Sequence, residues 1–290
     1  TLPRIYNPER GYISTANQPV VPMEYYDWLA GEIGDQFGED ANYVMDYWWA
    51  MGYRGDRINT LLEDLQPHTI ETFQQMHADN YDGSAAEILP FLLSLDIDDT
   101  ALADMRDWLG EWDMQMHMDS ARAPLYAFFW THLMDNLYND QFAGVYRASG
   151  GNNHWWATYL LMQEPENVWW DDVNTANKIE TRDDIVLKSF EEAVIGTVEA
   201  LGENRDDWRW GTLHTTTFVN NPLGISGIAP IENMVNRGPV AVSGTGNAIN
   251  AMGWSTTSGS FESAHGPSER VIYDLSNWDN SLSIHPTGQS

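Results

Sequence analysis

Asn7-Pro8-Glu9-Arg10-Gly11-Tyr12-Ile13-Ser14-Thr15-Ala16-Asn17 places two turn signals, Asn7-Pro8 and Arg10-Gly11, ahead of a short β-prone run, Tyr12 to Thr15, that ends on Asn17. An amide side chain at the end of a strand is held by the sheet and can donate its NH2 to a ligand. A fixed donor aimed at the point where negative charge develops is what an oxyanion hole needs. Asn also closes turns with its own backbone, and the run alone leaves both roles open.

Further along lies Tyr53-Arg54-Gly55-Asp56-Arg57-Ile58-x-x-Leu61-Leu62. Late in the chain come Trp210-Gly211-x-x-His214, Asn236-Arg237-Gly238-Pro239, Gly266-Pro267-Ser268-x-Arg270 and Gly288-Gln289-Ser290. Taken in this order with the Asn7–Asn17 segment, these motifs resemble the β subunit of the penicillin acylase family, N-terminal-nucleophile hydrolases that cleave amides. The resemblance implies that Asn17 supplies one oxyanion donor and that Arg57 lies near the active centre. It implies a calcium ligand at Asp46, which stands eleven residues before Arg57; a helix-surface carboxylate is the other reading of Asp46. The family's nucleophile is a Ser at the start of the β subunit, followed by a long strand region before Asn-Pro-x-x-Gly. Thr1 abuts that motif directly, so Thr1 is not expected to be the nucleophile even though an N-terminal Thr can serve as one. The chain is therefore expected to be the middle and C-terminal part of an acylase β subunit, inactive by itself. Its expected partners are the α subunit and the N-terminal part of the β subunit of one precursor, with a small N-acyl amide as substrate.

Charge narrows the function further. The chain of 290 residues carries 43 acidic residues against 14 basic ones, a formal net charge of −29, and Lys178 and Lys188 are its only lysines. Such a field repels nucleic acid and anionic lipid, which excludes both as partners. The acids are spread through helical segments such as Asp104-Met105-Arg106-Asp107 rather than gathered in tails. That pattern resembles proteins of high-salt organisms, where salt screens the self-repulsion. No run approaches the length of a membrane-spanning helix. The absence of Cys removes disulfides, thiol nucleophiles and thiolate metal sites. That absence fits an exported protein and a cytosolic one equally well; the expected location is secreted, periplasmic or cell-surface, in a high-salt organism.

The order of elements argues for an α+β unit: a strand and turn segment over 1–58, a helical block over 59–205 and a β-rich segment over 206–290. The resemblance makes this part of an N-terminal-nucleophile αββα sandwich with a large helical insertion. Glycines 31, 34 and 38 point to a loop or short helix over 32–42. Thr69 and Thr181 are expected helix caps, the second in a Thr-x-x-Asp capping box, and either Asp98 or Thr100 caps another helix. Val186, Phe190, Ala193, Val194, Val198 and Leu201 form one stripe closed by Gly202. Residues 123–137 are apolar on more than one face and are expected to be buried.

No nucleotide, zinc-protease or serine-hydrolase signature is present. Asp79-x-x-Asp82-Gly83 and Asp96-x-Asp98-Asp99 lack the full spacing of a calcium loop and read better as helix caps. None of the eight His pairs with another at i, i+4, and His214 is expected to be structural. Two further readings stand beside the acylase: a non-catalytic ligand-binding or assembly module that keeps the fold, and an aromatic-lined carbohydrate-binding protein suggested by the 14 Trp.

Overall fold

A computed structural model describes residues 3–38, 45–46, 48–142, 144–151 and 153–286. Thr1 and Gly288-Gln289-Ser290 lie outside the described residues. Among the described residues ten α-helices and four short strands follow one another. The helices are α1 (Met23–Phe37), α2 (Tyr53–Asp64), α3 (Ile70–His77), α4 (Gly83–Leu93), α5 (Thr100–Gly110), α6 (Ala123–Met134), α7 (Asn153–Met162), α8 (Arg182–Leu201), α9 (Trp210–Leu213) and α10 (Ala229–Val235). The strands are β1 (Thr215–Phe218), β2 (Arg237–Ala241), β3 (Arg270–Ile272) and β4 (Leu282–Ile284).

The core forms around α6. Leu125, Ala127, Phe129 and Leu133 are fully buried, and the helix is buried except along one half-buried strip of Phe128, Thr131 and His132. It packs mainly on α8, where the Phe129 and Phe190 rings meet edge to face, 6.3 Å apart. Ile88, Leu89 and Leu92 of α4, Leu109 of α5 and Met162 of α7 close the shell. The expected stripe on α8 is present but incomplete: Ser189 and Thr197 are also fully buried. Their hydroxyls donate to the carbonyls of Ile185 and Ala193, one turn earlier, at 2.7 Å each. A polar side chain bonded to its own helix is invisible to a hydropathy pattern.

Three tryptophans help build the core, while Trp28, Trp48, Trp156 and Trp278 are exposed. Trp170, Trp208 and Trp210 are fully buried. Their indole N–H groups end on loop carbonyls: Trp170 on Glu164 at 3.0 Å, Trp208 on Gly202 at 2.8 Å and Trp210 on Gly244 at 3.3 Å. Each ring thereby buries a large apolar area while fixing a loop.

Thr69 and Thr181 both close capping boxes, with Thr72 and Asp184 as their partners, and Gly202 ends α8. Asp82 caps α4. At α5 the cap is Asp99, which lies between the two candidates and accepts from the N–H groups of Ala101 and Leu102 at 2.9 Å each.

Two expectations are corrected. Residues 32–37 continue one helix over 23–37 despite Gly31 and Gly34, rather than forming a loop or a short helix of their own, and 39–42 lie outside the described residues. Each glycine costs a helix only about 1 kcal/mol against Ala; buried Leu29 and the Tyr25–Trp28 ring pair at 5.4 Å oppose that cost. The Tyr12–Thr15 run pairs with no strand among the described residues and lies along α2 instead.

The fold is α+β. β1 and β2 form an antiparallel ribbon, with Thr215 opposite Ala241 and an irregular register before Phe218–Arg237. β3 and β4 form a second, with Val271 opposite Ser283. Every residue of β2 and β4 is exposed. No helix among the described residues is long and apolar enough to cross a membrane.

The charge of −29 sits on a fold whose two lysines are both engaged, Lys178 with Asp184 at 3.1 Å and Lys188 with Asp172 at 3.3 Å. The remaining carboxylates repel one another through solvent. Thermal unfolding followed from low salt to about 1 M, where the Debye length is about 3 Å, is expected to show a rising Tm. A Tm that is flat or falls over that range refutes adaptation to high salt.

Candidate functional site

The N-terminal segment docks on one face of α2, antiparallel to it. The Tyr12 hydroxyl donates to Glu63 Oε1 at 2.9 Å and the Ser14 hydroxyl to Asn59 Oδ1 at 2.6 Å. Gln18 lies over Gly55, where a Cβ would come within 3.1 Å of its side chain. An extended chain advances about 3.4 Å per residue and a helix about 1.5 Å. Two residues of the segment therefore match about four of the helix, as Tyr12 and Ser14 do against Glu63 and Asn59; beyond Ser14 the chain bends, and the Gln18 side chain folds back onto the Ala16 N–H and the Ser14 carbonyl above Gly55. In this geometry the segment docks without a sheet.

Asn17 ends the docked segment at a bend. It is exposed, and its backbone is left-handed, with φ of 64°. Arg54, at the start of α2, donates through Nη2 to Asn17 Oδ1 at 2.7 Å and to the Ala16 carbonyl at 3.1 Å. The Ala50 N–H donates to the Asn17 carbonyl at 2.8 Å. Asn17 Nδ2 makes no hydrogen bond among the described residues.

Arg57 occupies the next turn and does not reach Asn17. Its guanidinium forks onto Asp79, Nε to Oδ1 at 3.0 Å and Nη2 to Oδ2 at 2.7 Å, and lies 4.6 Å from the Tyr81 ring centre. Asp79 raises the Arg57 pKa further and secures its charge. The Asp79 carbonyl accepts from the Asn250 N–H at 3.0 Å, and Asn250 Nδ2 donates to Asn80 Oδ1 at 2.9 Å. Arg270 donates to Asn250 Oδ1. Three motifs far apart in sequence thus meet in one network. Gly244, with φ of 108°, admits the Asn250 carbonyl where a Cβ would lie 2.1 Å from that oxygen.

Asp46 is exposed, and its Oδ1 accepts from the Trp48 N–H at 2.9 Å in a local turn. Among the described residues no three His, Asp or Glu side chains converge on a point. Calcium takes six or more oxygens, from backbone and amide carbonyls and water as well as carboxylates.

Reading the sequence by motif singled out Asn17 and Arg57 and missed Arg54, Asp79 and Asn250. Arg54 lies inside the quoted motif, three residues before Arg57. On a helix that spacing puts it on a neighbouring position of the same face, one turn nearer the N-terminus. Asp79 was visible only as part of a capping loop.

Two adjoining grooves, of about 510 and 630 Å³, share Ser243, Asn250, Arg270 and Ile284. No Asp or Glu among the described residues lines either one, in a chain with 43 acids. Their charged and titratable lining is Arg270, His77, His117, His265 and His285. Burial, helped by the Arg270 charge, holds the His77 pKa below its usual value.

His214 lies behind the second ribbon-forming segment. It is fully buried, stacked on Trp210 at 4.6 Å, with Nδ1 donating to the Phe261 carbonyl at 2.7 Å. Burial lowers its pKa from 6.5 to about 4, against the opposing pull of the Phe261 carbonyl. The unfolded chain therefore takes up a proton at higher pH than the folded one. The stability from the neutral ring is complete above pH 6.5 and is lost as the pH falls toward about 4. The denaturation midpoint is expected to fall across that window, and His214→Gln is expected to flatten the slope there. An unchanged slope in the variant places the titration elsewhere.

The penicillin amidase family profile matches residues 1–290. Among curated relatives, the acyl-homoserine lactone acylase QuiP of Pseudomonas fluorescens (strain Pf0-1) is 24% identical over 98% of this chain and 34% of its own length. QuiP of Pseudomonas aeruginosa is 23% identical over 99% of this chain and 35% of its own. Penicillin acylase 2 proenzyme of Pseudomonas sp. (strain SE83) is 26% identical over 97% and 33%. The chain thus spans about a third of the length of these relatives. With the family profile matching from its first residue to its last, the chain belongs to the penicillin amidase family.

Proposed function

We propose that this chain is the middle and C-terminal portion of the β subunit of an amidohydrolase that cleaves small N-acyl amides, with acyl-homoserine lactones and β-lactam side chains as candidate substrate classes. The observation that carries the reading is the Asn17 amide, held through its oxygen by Arg54 and exposed on its other side. In the complete enzyme an N-terminal Ser, outside this chain, attacks the amide carbonyl. The oxygen becomes negative as the tetrahedral intermediate forms, and Asn17 Nδ2 donates to it. A donor fixed in place before the reaction stabilises that charge without reorganising. Arg57 adds order at one remove by locking α2 to Asp79.

The exposed strands support the wider αββα assembly. A lone two-stranded ribbon is marginal in water, and an unpaired edge is a template for another strand. Both ribbons here border the carboxylate-free grooves. The α subunit and the N-terminal part of the β subunit would cover that face, which explains why the acidic coat stops there. Export into a high-salt medium completes the proposal.

In the complete enzyme, Asn17→Gly keeps the left-handed backbone and removes the donor. It is expected to lower kcat by roughly 10²–10³, with a smaller change in KM and little change in Tm. Asn17→Asp keeps the oxygen that Arg54 grips but replaces the donor by a carboxylate; it should fold well and turn over no faster than the glycine variant. Near-normal kcat in either variant removes Asn17 from the chemistry.

Calcium enters the proposal through Asp46, with further ligands supplied by the rest of the enzyme. A chelator should then lower the Tm of the complete enzyme, and Asp46→Ala should abolish that response. A Tm indifferent to chelation leaves Asp46 as the acceptor of its local turn.

A further inference from the structure

We propose that Arg54 is the positioning residue for the Asn17 amide and that its unpaired charge strengthens the donor. This inference rests on the oxyanion reading of Asn17.

The first argument is chemical. A guanidinium only donates, so the atom of Asn17 facing Arg54 is its oxygen. The contact is 2.7 Å. An amide left to itself can present either end; this one cannot. With Oδ1 held, Nδ2 is turned away from Arg54 and out of the docked segment.

The second argument is geometric. The same Nη2 also bonds the Ala16 carbonyl at 3.1 Å, so the guanidinium reads the backbone and the side chain together. The Ala50 N–H fixes the Asn17 carbonyl from the other side at 2.8 Å. On the same face Gly55 leaves room for the Gln18 side chain, from which a Cβ would lie 3.1 Å away.

The third argument is electrostatic. Arg57, Arg106, Arg122, Arg147, Arg182 and Arg205 each pair with a carboxylate. Arg54 is one of the six other arginines, with Arg4, Arg10, Arg209, Arg237 and Arg270, that pair with no carboxylate among the described residues; what sets it apart is its contact with the Asn17 side chain. It is half-buried, and burial lowers its pKa. Its charge is spent on two neutral carbonyls instead. A cation bonded to an amide oxygen polarises the amide, which makes its N–H a stronger donor. The same positive charge, uncancelled by a carboxylate, also favours an anion near Nδ2.

The test is a cycle in the complete enzyme built from Arg54→Met, Arg54→Lys, Asn17→Gly and Asn17→Asp. Arg54→Met is expected to lower kcat roughly tenfold or more, within the total that a lost oxyanion donor costs, while KM moves less. Arg54→Lys should recover part of that loss. In an Asn17→Gly background, Arg54→Met should cost nothing further, because no amide is left to orient. Stability gives a readout independent of turnover. Asn17→Asp turns the contact into an ion pair, so it should raise Tm when Arg54 is present and not when Met replaces it. If Asn17→Gly leaves kcat intact, the oxyanion reading fails and this inference goes with it. If Asn17→Gly is impaired while Arg54→Met is not, or if the two losses multiply in full, the inference alone is overturned. Should Arg54→Met not fold, Arg54→Lys and the Tm of Asn17→Asp in the Lys background decide: full kcat with no gain in Tm overturns the inference.

Discussion

Burial of most of α6 is the constraint from which the position of Asn17 follows. A helix that is apolar on all but one half-buried strip, Phe128, Thr131 and His132, must be enclosed on its other sides, and it shares one core with α4, α5, α8 and the buried tryptophans. Trp210 is one of these, and its N–H holds the Gly244 carbonyl. Gly244 in turn gives room to Asn250, whose N–H bonds the Asp79 carbonyl. Asp79 grips Arg57 on α2, and α2 carries the segment that ends on Asn17. Directional bonds and one close approach thus lead from apolar packing to an exposed amide. This is how a core with no chemistry of its own sets the place of a polar site.

The distribution of charge tells the same story from outside. Exposed ion pairs add little stability each, so the acidic coat is best understood as a solvent-facing property. The coat stops at the two grooves, and it leaves Arg54 without a carboxylate. An interior or covered face has no use for acids, because desolvating them is costly.

Much of the helical block was legible because its signals are local. Thr69, Thr181 and Gly202 act within one turn of their own helix. The α8 stripe was legible except at Ser189 and Thr197, whose hydroxyls are satisfied by the preceding turn. The first helix hid behind its glycines, since propensity marks Gly31 and Gly34 but not the packing of Leu29. The Tyr12–Thr15 run has the composition of a strand, yet composition cannot say whether its neighbour is a strand or a helix. At the site, motif order pointed to Asn17 and Arg57 and passed over Arg54. Which of two arginines on one helix face meets a loop residue depends on the register of docking. That register is set by Tyr12–Glu63 and Ser14–Asn59, contacts between segments some fifty residues apart.

The two readings of Asn17, turn residue and oxyanion donor, turn out to share one physical basis. Its left-handed φ of 64° is a conformation that Asn tolerates better than most side chains. That is the turn property. Yet its side chain does not close the turn on its own backbone; the bend is held by Arg54 and by the Ala50 N–H. Because those groups fix the backbone, the amide is released from capping. Because Arg54 takes the oxygen, the nitrogen is the end that remains. Glycine would satisfy the backbone and offer no donor. Aspartate would satisfy Arg54 and offer a charge of the wrong sign. Asparagine alone among the three meets the conformational, the orienting and the donating requirement at once.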